Sequence, residues 1–217
     1  MRAPYSGFKP GGKRITPLEA TLYWEALEPY MDECARLATT DLAFRGRYTR
    51  IARHLAADCW KYVGMRYGHK IGKTSQLRVR SKWDYSKKDS RSRGGVDARG
   101  RGYISINMIK HAVPFDMIEY SSFAHDLEIG YLCTRRREVH LAGIIAHEVA
   151  HAAVFSMKLQ SLRTPQLFDA GELEMMDADG GHGPAWKSVY RYLRTEYVTK
   201  IASAFPEQSI SRIWSNS

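Results

Sequence analysis

The sequence predicts an α+β fold in which a small sheet packs on one strongly apolar helix, with additional N-terminal helices ahead of it. Three observations carry that expectation. The stretch Arg135–Met157 is apolar on more than one face, the mark of a helix buried in a core. Two short stretches, Gln76–Ser81 and Tyr103–Ile109, alternate apolar and polar residues with the period of a half-buried strand. Upstream of both, apolar residues recur at helical spacing.

Taken in order, residues 1–15 read as a basic, flexible tail containing Gly and Pro, with no core of its own. A helical pattern starts at Thr16, a capping residue, followed by Pro17 in the first turn and by Leu18, Leu22, Leu27, Met31 and Leu37. Pro29 breaks or kinks that pattern. A second helix is expected over Arg47–Tyr67, with Ile51, Leu55, Cys59, Tyr62 and Val63 on one face. From Gly68 to Gly102 the chain turns rich in Gly, Ser, Lys and Arg, and Lys87–Gly100 reads as a mobile basic loop. The apolar helix Arg135–Met157 follows, with Thr134 available as its cap. A loop of Lys158–Gly181 and a last helix from Pro184 complete the pattern. Residues 16–102 thus form an N-terminal, basic part, expected to be one compact unit with 103–217.

The 217 residues suffice for one domain with a real core. No run approaches the roughly 20 apolar residues that a membrane helix needs, so no membrane association is expected. The N-terminus MRAPYSGFKPGGKR lacks the apolar region of a secretory signal, so the expected location is cytoplasmic or nucleoid-associated, and not secreted. Cys34, Cys59 and Cys133 are odd in number and far apart, which argues against a disulfide framework and for buried thiols. Charge is concentrated. Between Arg66 and Lys110 there are 13 Lys or Arg and 3 Asp, a balance equal to the +10 of the whole chain. Such an excess points to a polyanionic partner.

The chemistry sits at His147-Glu148-Val149-Ala150-His151, an HExxH within the apolar helix. Positions i and i+4 lie one above the other on a helix, so both imidazoles can reach one ion. Glu148 is turned about 100° around the axis from His147, so it can act on a water at the metal without ligating it. Bound zinc supplies an acidified water, its pKa lowered from about 15.7 to around 7, and an electrophile for a carbonyl. The carboxylate of Glu148 is suited to take the water's proton and to return one to the departing amine. A helix carrying two solvated or core histidines is the bland alternative, weakened by the apolar surroundings of these polar groups.

A catalytic zinc needs a third protein ligand and an open position. Candidates downstream are Glu172, Glu174, Asp177, Asp179 and His182. His182 is best placed: glycines on both sides permit close approach, and Pro184 starts a helix directly behind it. Glu172, Glu174 and Asp179 remain the alternatives. His140, seven residues before His147, reads as a partly exposed bystander.

HExxH followed by Gly181-His182-Gly183-Pro184-Ala185-Trp186 resembles the SprT-like zinc metallopeptidases, the family of the Spartan-type proteases of DNA–protein crosslink repair. The resemblance spans about Tyr103 to Tyr197. It implies a minimal zincin-like metallopeptidase domain over 103–217, with one Zn2+ per chain on His147, His151 and His182 and Glu148 as catalytic base. It also implies DNA-stimulated cleavage of DNA-bound proteins. Many relatives carry a C-terminal zinc ribbon or ubiquitin-system motifs, and no such motif follows the last helix here.

The nucleic-acid part of that reading has support in the basic segment itself. Lys82, Lys87, Lys88, Arg91, Arg93, Arg99 and Arg101 supply phosphate attraction, and Trp83 and Tyr85 offer faces for unpaired bases. Trp83 and Tyr85 packed on the core is the alternative. No base-reading motif is present, so single-stranded or otherwise non-sequence-specific DNA is the expected partner, beside a protein substrate. Two other functions stay open: a nucleic-acid-binding module with a structural or inactive zinc site, and a zinc peptidase with no nucleic-acid role.

Overall fold

The structure is a computed structural model that describes residues 40–72, 77–83, 92–108, 117–119, 132–134, 137–177 and 181–204. The expected tail 1–15 and the helices from Thr16 lie outside these residues, as do Tyr85, Lys87, Lys88 and Arg91. The described part is mixed α+β, as the patterning predicts.

The first helix, α1 (Leu42–Ile71), is longer at both ends than the expected Arg47–Tyr67. Its start is set by Asp41, whose carboxylate accepts the Phe44 N–H at 2.8 Å. Its end is set by Gly72 at φ 71°. Ala52, Leu55, Ala56, Cys59 and Val63 form its buried face. The Cys59 thiol is buried and pushed well above its ordinary range by desolvation, in line with an inert packing cysteine.

Strands β1 (Arg78–Lys82), β2 (Arg93–Val96) and β3 (Gly102–Asn107) form one sheet in the order β1-β3-β2. β3 is central, parallel to β1 and antiparallel to β2. Part of the basic loop expected over Lys87–Gly100 is therefore a strand. The turn that creates it is built on Asp97. One oxygen accepts the N–H groups of Arg99 and Arg101, and the other accepts Arg101 Nε at 3.0 Å. These bonds, the Arg101 backbone N–H first, hold the Asp97 carboxyl down at about 2. Two short strands, β4 (Met117–Glu119) and β5 (Leu132–Thr134), pair antiparallel.

The apolar helix, α2, runs over Arg137–Ser161. Thr134, the expected cap, falls in β5, and the helix is described from Arg137 rather than from the expected Arg135. Val139, Leu141, Ala142, Ile145, Ala146, Val149, Ala152 and Ala153 are buried. The sheet packs on one side of α2, and α1 and the C-terminal helices pack on the others. Segment Glu138–Ser161 corrects one expectation: by length and composition it could cross a membrane. Here it is a core helix, with 72% of its most apolar window buried within the fold.

The expected loop Lys158–Gly181 also contains a helix, α3 (Ala170–Asp177). Asp169 and Glu172 explain it by capping reciprocally. Asp169 Oδ1 accepts the Glu172 N–H at 2.8 Å, and Glu172 Oε2 accepts the Asp169 N–H at 3.2 Å. Then α4 (Pro184–Tyr192) passes without a break into a π-wound turn, Leu193–Val198, and α5 (Thr199–Ala204). Tyr197 in the π turn is fully buried and donates to the Leu55 carbonyl at 2.8 Å, tying this end to α1.

Candidate metal centre

Three histidines converge. His147 and His151 lie on successive turns of α2, and His182 enters from the loop that leads into α4. His182 Nε2 stands 3.1 Å from His151 Nε2 and 3.2 Å from His147 Nε2. Three nitrogens at about 2.0–2.1 Å from one tetrahedral zinc stand about 3.3–3.4 Å apart. The triangle is therefore close to the size that a single ion demands, and these three residues can hold one. Burial first, then the charges of His147 and His182, lower the His151 pKa from 6.5 to about 3. That ring is thus neutral at physiological pH, and its lone pair is open to a cation.

Packing aims the rings. Trp186, two residues into α4, is almost fully buried. It stands edge to face with His182 at 4.5 Å and with His147 at 4.9 Å. Its indole N–H donates to the His147 carbonyl at 3.3 Å, so it ties α4 to the turn of α2 that carries the first histidine. Tyr190 stacks on Trp186 at 4.6 Å and meets the His147 ring edge on at 5.5 Å, and its hydroxyl accepts from Arg194 at 3.1 Å. The Pro184 start and the Trp186–Tyr190 stack explain why His182 is held at a helix entrance and not on a free loop.

Glu148, the expected base, is buried at 6% exposure beside the two α2 histidines. Its backbone faces β2 at closest approach. A β-carbon on Gly94 would lie 1.9 Å from the Glu148 carbonyl oxygen and 3.0 Å from His151 Cβ. The edge strand of the sheet thus runs directly along the helix at the HExxH. Gly94 is a site residue that sequence reasoning missed, and the Gly94-Gly95 pair within a basic stretch was its only signal.

The alternative third ligands are engaged elsewhere or lie outside the described atoms. Glu172 pairs with Lys70 as well as capping α3, and Glu174 is exposed. Asp179 and the Asp177 side chain are outside the described positions. His140 corrects another expectation: it is buried at 2% exposure and is no partly exposed bystander.

No family model, no curated protein and no solved structure matches this chain.

The basic residues divide by use. The register sets Arg80, Ser105 and Arg93 side by side across the three strands, on the sheet face turned away from α2. Arg78, Arg80, Arg93 and Arg99 are exposed, whereas Ser105 and Asn107 on that face are buried. Arg101 and Arg78 are spent partly on structure, pairing with Asp97 at 2.9 and 3.3 Å. Lys82 is half-buried. Trp83 is also half-buried, and the packed alternative describes it better than a free stacking platform. Its N–H donates to Thr49 Oγ1 at 3.1 Å, Phe44 meets it edge on, and Arg45 lies 5.5 Å over its ring.

Proposed function

We propose that this protein is a zinc-dependent endopeptidase of zincin-like, SprT-like type, associated with DNA and acting on DNA-bound proteins. One observation carries the reading: three imidazole nitrogens at single-ion spacing, with the HExxH glutamate buried beside them. His147, His151 and His182 would hold the ion. Glu148, one residue from His147, would take a proton from the attacking water and deliver it to the departing amine. β2, an edge strand among the described residues and brought against α2 at Gly94, gives an extended polypeptide a strand to pair with beside the histidines.

Metal content tests the centre directly. Mass spectrometry of the purified chain should find about one zinc per chain. His182→Ala should weaken zinc at least about 100-fold, since losing even an outer partner of a ligand costs about 10–100-fold. A wild type that takes up no zinc at micromolar levels would sink the proposal at its root.

The DNA association rests on the exposed arginines of the sheet face and on the charge concentrated between Arg66 and Lys110. Binding to single-stranded DNA should fall steeply with salt, with a log–log slope of about −0.7 per phosphate contacted. Replacing Lys87, Lys88, Arg91 and Arg93 by Gln should flatten that slope by about 2–3. A wild type with no salt-sensitive binding would remove the DNA role and leave the peptidase proposal standing.

A further inference from the structure

The face of α2 that carries the histidines continues past His151 as an apolar one. Val154 and Phe155 follow it by three and four residues and share its side of the helix. Beside them opens a slot of about 50 Å3, bounded by three elements. His151, Val154 and Phe155 line it from α2, Met175 and Met176 from α3, and Trp186 from α4. Apart from His151 and Lys158, every described residue of its lining is apolar or glycine. An imidazole of the metal centre is thus one wall of an apolar slot.

Phe155 and Met175 stand 42% and 38% exposed, whereas most large apolar side chains among the described residues are buried. Covering them is favourable, and an apolar occupant of the slot gives both a partner. Volume sets the size of that occupant. One water needs about 10–15 Å3, so the slot takes about four water-sized groups. Leucine and methionine side chains have that many heavy atoms. Met175 and Met176 also line a second space, of about 60 Å3, beside Met157, Phe168 and Val189. Methionine is unbranched and turns readily, so this shared wall adapts to an occupant. The helix behind it is held, because Asp169 and Glu172 cap α3 and Glu172 pairs with Lys70 of α1.

Strand β2 runs along α2 beside Glu148 and His151. An extended polypeptide paired with β2 alternates its side chains between two directions, and one that points toward α2 beside His151 meets the slot. We propose that the slot is a specificity pocket. It takes a leucine or methionine side chain of the polypeptide substrate, next to the bond that is cut. The cut itself rests on the peptidase function proposed above, and the preference rests on the lining. Alanine in that position leaves most of the slot unfilled, and glycine leaves all of it.

Two readouts separate the pocket from the peptidase function. The first needs no cleavage: methyl NMR of the Glu148→Gln chain with 13C-labelled methionine methyls, titrated with a short peptide carrying one leucine or, in its place, alanine. The Met175 and Met176 methyls, assigned through Met175→Leu and Met176→Leu, should shift with the leucine peptide at an affinity at least about tenfold higher. The second is cleavage of a peptide mixture by the zinc-loaded chain, which should favour leucine or methionine at one position beside the cut by about tenfold or more. Val154→Phe fills the slot from a half-buried position on α2 and should erase both preferences. Met175→Ala, at an exposed position, widens the slot and should move the preference toward phenylalanine. Methyl shifts without any cleavage keep the side-chain pocket and remove the peptidase function. Cleavage with no apolar preference beside the cut, or a preference that neither variant moves, overturns the pocket and leaves the peptidase function standing. Methyls that ignore the leucine peptide overturn it as well.

Discussion

Glu148→Gln is expected to keep its zinc and to lose about 10²–10⁴-fold in kcat/KM for protein hydrolysis. The substitution is nearly isosteric, and Glu148 sits in a tightly packed turn at 6% exposure, so the fold has no reason to rearrange. The three imidazoles that would hold the ion are untouched. An amide cannot accept and return a proton at neutral pH, and that function alone is removed. Zinc stoichiometry and hydrolysis of a fluorogenic protein substrate should be read on the same samples. An unchanged rate would show that Glu148 is not the base. Loss of zinc would show that it belongs to the ligand set.

Gly94→Ala should destabilise the chain by about 3 kcal/mol and loosen the zinc site with it. The added carbon would lie 1.9 Å from the Glu148 carbonyl oxygen, a backbone atom inside a buried helix that cannot swing aside. Strand and helix must separate, and they separate at the residues that carry the chemistry. Gly64→Ala is the matched control. Its β-carbon meets nothing within 4 Å, so removing a helical glycine there should be neutral or stabilising by up to about 1 kcal/mol. Urea melts of both variants, with a chelator competition for zinc, make the comparison. If Gly94→Ala melts and binds zinc like wild type, β2 does not lie against the HExxH turn.

The features legible in the sequence are those with a local cause. The i, i+4 histidines share a face because of helix geometry alone. The burial of α2 follows from its apolar composition. Val79, Ile104 and Ile106 reveal two strands by alternation. The capping pair Asp169 and Glu172 was equally local, a D-x-x-E that marks the start of α3 and so breaks up the apparent loop. His182 was reachable because the glycines on both sides permit close approach and Pro184 marks a helix start just behind it.

Strand β2 and its glycine belong to the other class. Arg93-Gly94-Gly95-Val96 has little strand propensity because of its two glycines, and composition alone makes it a basic loop. It becomes a strand because Asp97 closes the turn onto Arg101, and because only a residue without a side chain fits between β3 and the Glu148 carbonyl. The roles of the cations were settled in the same way. Arg101 and Arg78 meet Asp97, Lys70 meets Glu172, and Arg66 rests on Tyr192, from a helix far away in the chain. Sequence by itself determined which elements carry the three histidines that could hold a metal ion, since helix spacing and capping act over a few residues. Tertiary structure alone decided what closes around that chemistry, since close approach and charge pairing depend on residues that meet only in space.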